Sequence, residues 1–153
     1  MVTLIKDPTE KEQICRTVLQ ALPDWFGNPE SVEEYARCSR DLPLWAERED
    51  DSQADGFIVF RPTSPYAGEI YVMGVRQERH RQGLGRRLFA SLYAYAKEQG
   101  FRFLSVKTVQ MGRYPDYDQT NRFYQSLGFV ELECFPTLWD EANPCQVYIM
   151  DVK

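Results

Sequence analysis

Apolar positions along the chain change their spacing several times, and each change marks an element. Val2 to Lys6 has the short alternating pattern of a strand. Pro8 opens a helical stretch to about Leu22, with Ile14, Val18, Leu19 and Leu22 on one face. Pro23 and Gly27 break it. Asn28 is placed to cap a second helix to about Arg40, with Pro29 at its first position. Leu42 to Arg48 reads as a strand and Glu49 to Asp55 as an acidic turn. Phe57–Arg61 and Glu69–Val75 are strands around a turn, and the second is apolar enough to be central. A helix follows over Gly83–Gln99, with Leu84, Leu88, Leu92 and Ala96 in phase and Gly100 at its end. Phe103–Val109 is the next strand, Met111–Asp118 a loop, and Gln119–Leu127 a short helix closed by Gly128. Phe129–Phe135 and Gln146–Val152 are two last strands, joined by a loop rich in Pro, Trp and Asn. Strands and helices mix without strict alternation, which predicts an α/β chain of one mixed sheet with helices on both faces.

Composition narrows the function classes. At 153 residues the chain is sized for one domain, taken here as 1–153, and 43% hydrophobic residues suit a packed core. No apolar run is long enough for a membrane span, and the first residues do not resemble a signal peptide, so a cytoplasmic protein is expected. A net charge of -5 disfavours nucleic acid as a partner. The four cysteines, Cys15, Cys38, Cys134 and Cys145, follow no metal or disulfide spacing and read as free thiols. The single histidine, His80, cannot build a His-rich metal site, and no metal is expected. Basic residues are concentrated locally: Arg76, Arg79, Arg81, Arg86 and Arg87 crowd around His80. A basic patch on an acidic chain points to one anionic ligand at one place.

That place is His80-Arg81-Gln82-Gly83-Leu84-Gly85-Arg86, between a buried strand and an amphipathic helix. Unpaired N–H groups at a helix start, with the helix dipole, attract an anion. Glycines let it approach the backbone, and Arg81 and Arg86 add charge. A dinucleotide fingerprint is excluded because Leu88 stands at its third glycine; a nucleoside-triphosphate loop is excluded because no Gly-Lys-Ser/Thr follows.

Val75 through Leu88 resembles the coenzyme A-binding signature of the GNAT superfamily of N-acetyltransferases, Arg/Gln-x-x-Gly-x-Gly/Ala, with His80 where that pattern has Arg or Gln. A second segment, Thr120 to Phe129, is similar to the family's Phe-Tyr-x-x-x-Gly-Phe segment. The resemblance implies the GNAT fold, a mixed and mostly antiparallel sheet of six to seven strands with about four helices. It implies acetyl-CoA as co-substrate, held by Gln82, Gly83, Leu84, Gly85 and Arg86 with His80 and Arg81, by Met73, Gly74 and Val75 along the pantetheine arm, and by Asn121. It also implies Tyr124 as the proton donor to the departing thiolate. Glu69, at the start of the central strand, has a register similar to the glutamate base of histone-acetylating relatives; a water is the alternative base.

Strand alternation places Glu69, Tyr71, Met73 and Val75 on one face. Gly74 is a candidate bulge that would open a slot for the cofactor arm. In this architecture Trp25, Phe26, Tyr35, Trp45, Tyr114, Tyr117, Phe135 and Trp139 are candidates to rim an acceptor groove, and Asp116, Asp118, Asp140 and Glu141 to attract an ammonium. The expected acceptor is a small-molecule or peptide amine. Two other readings compete: a silent acyl-CoA sensor, and a site for another phosphorylated metabolite. A homodimer is also expected, through an edge of the last strands.

Overall fold

The computed structural model describes residues 1–49 and 53–153, so the middle of the acidic turn expected at Glu49–Asp55 lies outside the described residues. The elements run β1 (Val2–Ile5), α1 (Pro8–Gln20), α2 (Pro29–Ser39), β2 (Leu44–Glu47), β3 (Gly56–Pro62) and β4 (Ala67–Val75). A single 3-10 turn, Gln77–Arg79, leads into α3 (Leu84–Glu98). Then come β5 (Phe103–Val109), α4 (Pro115–Leu127), β6 (Val130–Asp140) and β7 (Asn143–Asp151).

Capping fixes where the first two helices begin. The Asp7 carboxylate accepts from the Glu10 N–H at 3.0 Å, and the Asn28 side chain accepts from the Glu30 N–H at 2.9 Å. Pro8 and Pro29 occupy first positions, where no N–H is needed. α4 starts four residues before the expected Gln119. Pro115 fills its first position, and Asp116 and Asp118 complement the dipole in its first turn.

All seven strands join one sheet in the order β1-β2-β3-β4-β5-β7-β6. Every neighbouring pair is antiparallel except β4–β5, which is parallel. One face carries a core of Val18, Leu19, Leu44, Phe57 and Val59 under α1 and α2. The other carries Ile58, Phe60, Leu88, Leu92, Leu104 and Tyr148 under α3, joined by Tyr124 of α4. The Pro- and Trp-containing segment expected as a loop is instead the far half of β6, which runs to Asp140 and turns directly into β7.

The β3–β4 ladder contains one irregularity. Val59 pairs with Val72, but Phe60 pairs with Ile70, so Tyr71 is the extra residue. The bulge is therefore at Tyr71, not Gly74, which pairs in register with Phe57 and faces Leu22 and Val18 of α1. This reverses the expected alternation. Tyr71 packs on the α1/α2 side with Glu69 next to it, whereas Met73 and Val75 pack on the α3 side.

Candidate functional site: a cleft where two parallel strands part

β4 and β5 are paired only from Ala67↔Phe103 to Ile70↔Val106. Beyond Ile70 the strands separate, and a cleft of about 1390 Å³ opens between them. Ladder geometry says which backbone groups face it. The Arg76 N–H donates to the Asp55 carbonyl at 2.8 Å, which makes Arg76–Asp55 a hydrogen-bonded pair. Such pairs alternate, so Gly74 and Val72 bond toward β3, while Met73 and Val75 direct their N–H and C=O groups away from it, into the gap. The Val75 carbonyl is met by His80 Nε2 at 2.7 Å. The Met73 groups and the Val75 N–H face the cleft. The bulge at Tyr71 bends β4 away from β5 and so makes this opening.

The cleft leads to the loop before α3. Arg81 has φ 64° and Gly83 φ 79°, both left-handed. Gly83 is the N-cap of α3 and, lacking a side chain, leaves the helix's first N–H groups without a side-chain partner. A side chain at Gly85 would collide with the Phe123 ring, since an added Cβ would lie 2.8 Å from it. The two glycines therefore keep the helix start open and close to α4. Gly83, Leu84, Gly85, Arg81 and Arg86 all line the cleft. The result is an anion cradle made chiefly of backbone, with Arg81 and Arg86 beside it, the Arg86 guanidinium donating to the Ser126 carbonyl at 3.2 Å.

Much of the basic cluster is used internally. Arg76 Nε donates to the Ala54 carbonyl at 2.9 Å, Arg79 pairs with Asp55 at 2.7 Å, and Arg87 pairs with Glu47 at 3.1 Å. The Gln82 side chain is held by Arg79, whose Nε donates to it at 2.8 Å. His80 lines the cleft, but its ring is edge-on to Trp25, 5.7 Å between centroids, and bound to Val75. It braces the loop against β4.

Tyr124 reaches the cleft from α4 and is 6% exposed. Burial pushes its phenol well above its ordinary pKa, so the hydroxyl stays protonated at neutral pH and has a proton to donate. Asn121, one turn earlier, does not line the cleft. Its Nδ2 donates to the Val109 and Tyr117 carbonyls at 2.8 and 2.7 Å, and its Oδ1 accepts from the Tyr148 hydroxyl at 2.6 Å. Asn121 is fully buried and fixes α4 to β5 and β7, which positions Tyr124 one turn on.

Glu69 is likewise held by its neighbours. It is only 3% exposed, is absent from the cleft lining, and holds one cation on each oxygen: Arg61 on Oε1 and Lys107 on Oε2, the latter at 3.2 Å. A carboxylate so occupied is not an exposed strand-end charge.

The opposite wall comes from the α1–α2 connection. The Trp25 Nε1–H donates to the Asp116 carbonyl at 3.2 Å, and the Tyr117 hydroxyl donates back to the Trp25 carbonyl, tying this wall to α4. Of the expected aromatic rim, Trp25, Phe26, Tyr35, Tyr117 and Trp139 line the cleft. Trp45 packs under α3 against Tyr95, and Tyr114 and Phe135 lie outside the lining. Of the four expected acids only Asp140 lines it. Sequence reading missed Tyr71, Lys107 and Arg122, which do. The signal for Lys107 was available: it is the one charged residue of β5, on the side opposite the core residues Leu104 and Val106. Among the described residues no group of three His, Cys, Asp or Glu is placed to hold a metal, and no helix is long and apolar enough to cross a membrane.

A slot between parted strands, ending at an anion cradle, with a protonated phenol beside it, suits a long ligand with an anionic tail and a reactive head. Residues 40–131 match the model of the acetyltransferase (GNAT) domain. The chain belongs to the GNAT acetyltransferase family. Solved structures of similar fold include a protein described as a GNAT-family acetyltransferase from Desulfovibrio desulfuricans, 21% identical, TM-score 0.85, covering 100% of this chain and 99% of the other. An aminoglycoside 6'-N-acetyltransferase complexed with coenzyme A is 15% identical, TM-score 0.82, with coverage of 100% and 97%. The ribosomal-protein-S18-alanine N-acetyltransferase from Escherichia coli is 17% identical, TM-score 0.76, with coverage of 100% and 95%. No curated protein matches the sequence.

Proposed function

We propose that the protein transfers an acetyl group from acetyl-CoA to an amine by direct attack with both substrates bound. The observation that carries this reading is the continuity of one cleft from the Gly83–Arg86 cradle, past the open backbone of Met73 and Val75, to the Tyr124 hydroxyl. The first N–H groups of α3, with Arg81 and Arg86, would hold the pyrophosphate. The backbone of Met73 and the Val75 N–H would bond the pantetheine arm, and an N–H there would polarise the thioester carbonyl. The acetyl donor supplies an activated carbonyl and a thiolate leaving group. Tyr124 donates its proton as the C–S bond breaks and recovers one from solvent.

The attacking amine must lose a proton. With Glu69 held between Arg61 and Lys107, water in the cleft is the acceptor in this reading. Four unpaired thiols suit a reducing compartment, in keeping with a cytoplasmic enzyme.

The test is calorimetric titration with acetyl-CoA, with dephospho-CoA and ATP as comparators, followed by thiol release in the presence of amines. Micromolar binding of acetyl-CoA with amine-dependent thiol release is expected. Binding without turnover on any amine would favour the sensor reading. Tighter binding of ATP than of acetyl-CoA would move the site to another phosphorylated ligand.

A further inference from the structure

The acetyl-transfer reading leaves the acceptor undefined, and the fork between β4 and β5 narrows it. The last paired residues are Ile70 and Val106. The next residues, Tyr71 on β4 and Lys107 on β5, stand where the strands part, and both line the cleft. They lie on the α1/α2 side of the sheet, away from α3 and its anion cradle: Tyr71 packs with the α1/α2 core, and Lys107 bonds Glu69, Tyr71's near neighbour on β4.

The charge at this fork does not balance. Glu69 is one carboxylate facing two cations, Arg61 and Lys107, whose side chains are 42% and 39% exposed. Arg61 also lies over the Tyr71 ring, 4.3 Å from its centroid. One positive charge is left over, on the cleft side. In the wider lining Arg79 is paired with Asp55, and Arg81 and Arg86 belong to the anion cradle, which leaves Lys107 and Arg122 against Asp140 alone. This holds in a chain whose net charge is -5. Beside the fork stands a run of rings at T-shaped contact, Phe26 on Tyr35 at 6.1 Å and Tyr35 on Tyr71 at 5.3 Å.

We infer that the acceptor is an amine that also carries an anionic group, a carboxylate or a phosphate, on an apolar or aromatic body. The anion meets Lys107 at the fork, the body lies along Phe26, Tyr35 and Tyr71, and the amine faces the gap beyond Ile70. A polycationic amine would bring further positive charge to a site that already has an excess.

The assignment rests on the acetyl-transfer reading, and its test separates the two. Acetyl-CoA binding is measured first, by calorimetry. Thiol release is then followed for phenylalanine, tyrosine and methionine against their methyl esters, for O-phosphoethanolamine against ethanolamine, and for spermidine. The expected result is a preference of tenfold or more in kcat/KM for the anionic member of at least one pair. The carboxylate and phosphate arms show which anion is used. Lys107→Met should erase the preference by raising KM for the anionic member, and Lys107→Arg should keep it. A preference for the esters, ethanolamine or spermidine would overturn the assignment. So would an unchanged preference in a folded Lys107→Met protein, or turnover on no member of the set despite acetyl-CoA binding. Absence of acetyl-CoA binding would remove the acetyl-transfer reading and the acceptor assignment with it.

Discussion

Arg81 holds a left-handed backbone without being glycine, at φ 64°. That conformation costs about 1 kcal/mol for an ordinary side chain. Arg81 lines the cleft, so strain is exchanged for charge at the anion site. Arg81→Gly should therefore raise stability by up to about 1 kcal/mol in thermal or denaturant unfolding, while weakening acetyl-CoA binding in calorimetry. Tyr124 allows a cleaner separation of binding from chemistry. Tyr124→Phe keeps the packing against Phe129 and Tyr148 and removes only the donor. Turnover should fall by about 10²-fold or more, with acetyl-CoA affinity nearly unchanged. Equal turnover would remove Tyr124 from the reaction. At this scale the glycine loop was legible in the sequence because its chemistry is backbone chemistry and glycine announces it. The surroundings of Glu69 were not: its oxygens are held by Arg61, eight residues away, and by Lys107 on another strand.

Among the elements, the start of α3 and the bulge in β4 make the site together. Gly83→Asp would put a carboxylate and a Cβ at a left-handed N-cap facing the anion cradle. Affinity for acetyl-CoA should drop at least tenfold in calorimetry, and unchanged affinity would sink the pyrophosphate assignment. Helices and central strands were readable from periodicity and caps, as Asp7, Asn28, Pro8 and Pro29 show. The bulge was not, because it falls on Tyr71, a residue that suits a regular strand, while the conspicuous Gly74 stays in register. The outer half of β6 was hidden for another reason. The strand is exposed along nearly its whole length, so it has no burial alternation, and Pro136 within it reads as a break. It leaves the β7 ladder after Phe135↔Cys145 and rejoins it only at Asp140↔Asn143.

For the whole molecule, the buried thiols and phenols set the response to alkali. Burial pushes Cys15 from 9.0 up to about 12, Cys145 up to about 11, and Tyr117 from 10.0 up to about 12. These folded values lie above the unfolded ones, so the stabilisation is complete below about pH 9 and is lost as pH rises toward 12, because the unfolded chain releases its protons first. Thermal unfolding between pH 7 and 11 should be flat at first and then fall above pH 9, and Cys15→Ala should make the fall shallower. The sheet has two edges, β1 and β6, and on β6 Val130, Leu132 and Leu138 are 62%, 54% and 55% exposed. The homodimer expected from the sequence would pair through this edge, and light scattering of wild type against Leu132→Lys would show it as a loss of mass.

The short β4–β5 seam has a consequence of its own. Four residue pairs hold two antiparallel sheets, β1 to β4 and β5 to β7, side by side. Past them, the ladder between β4 and β5 is open. Whatever occupies that place with matching donors and acceptors completes the sheet, so the ligand counts as part of the fold while it is bound. Occupancy would then register as the stiffening of a joint: slower hydrogen exchange at the Met73 and Val75 amides, and less motion of one half of the sheet against the other.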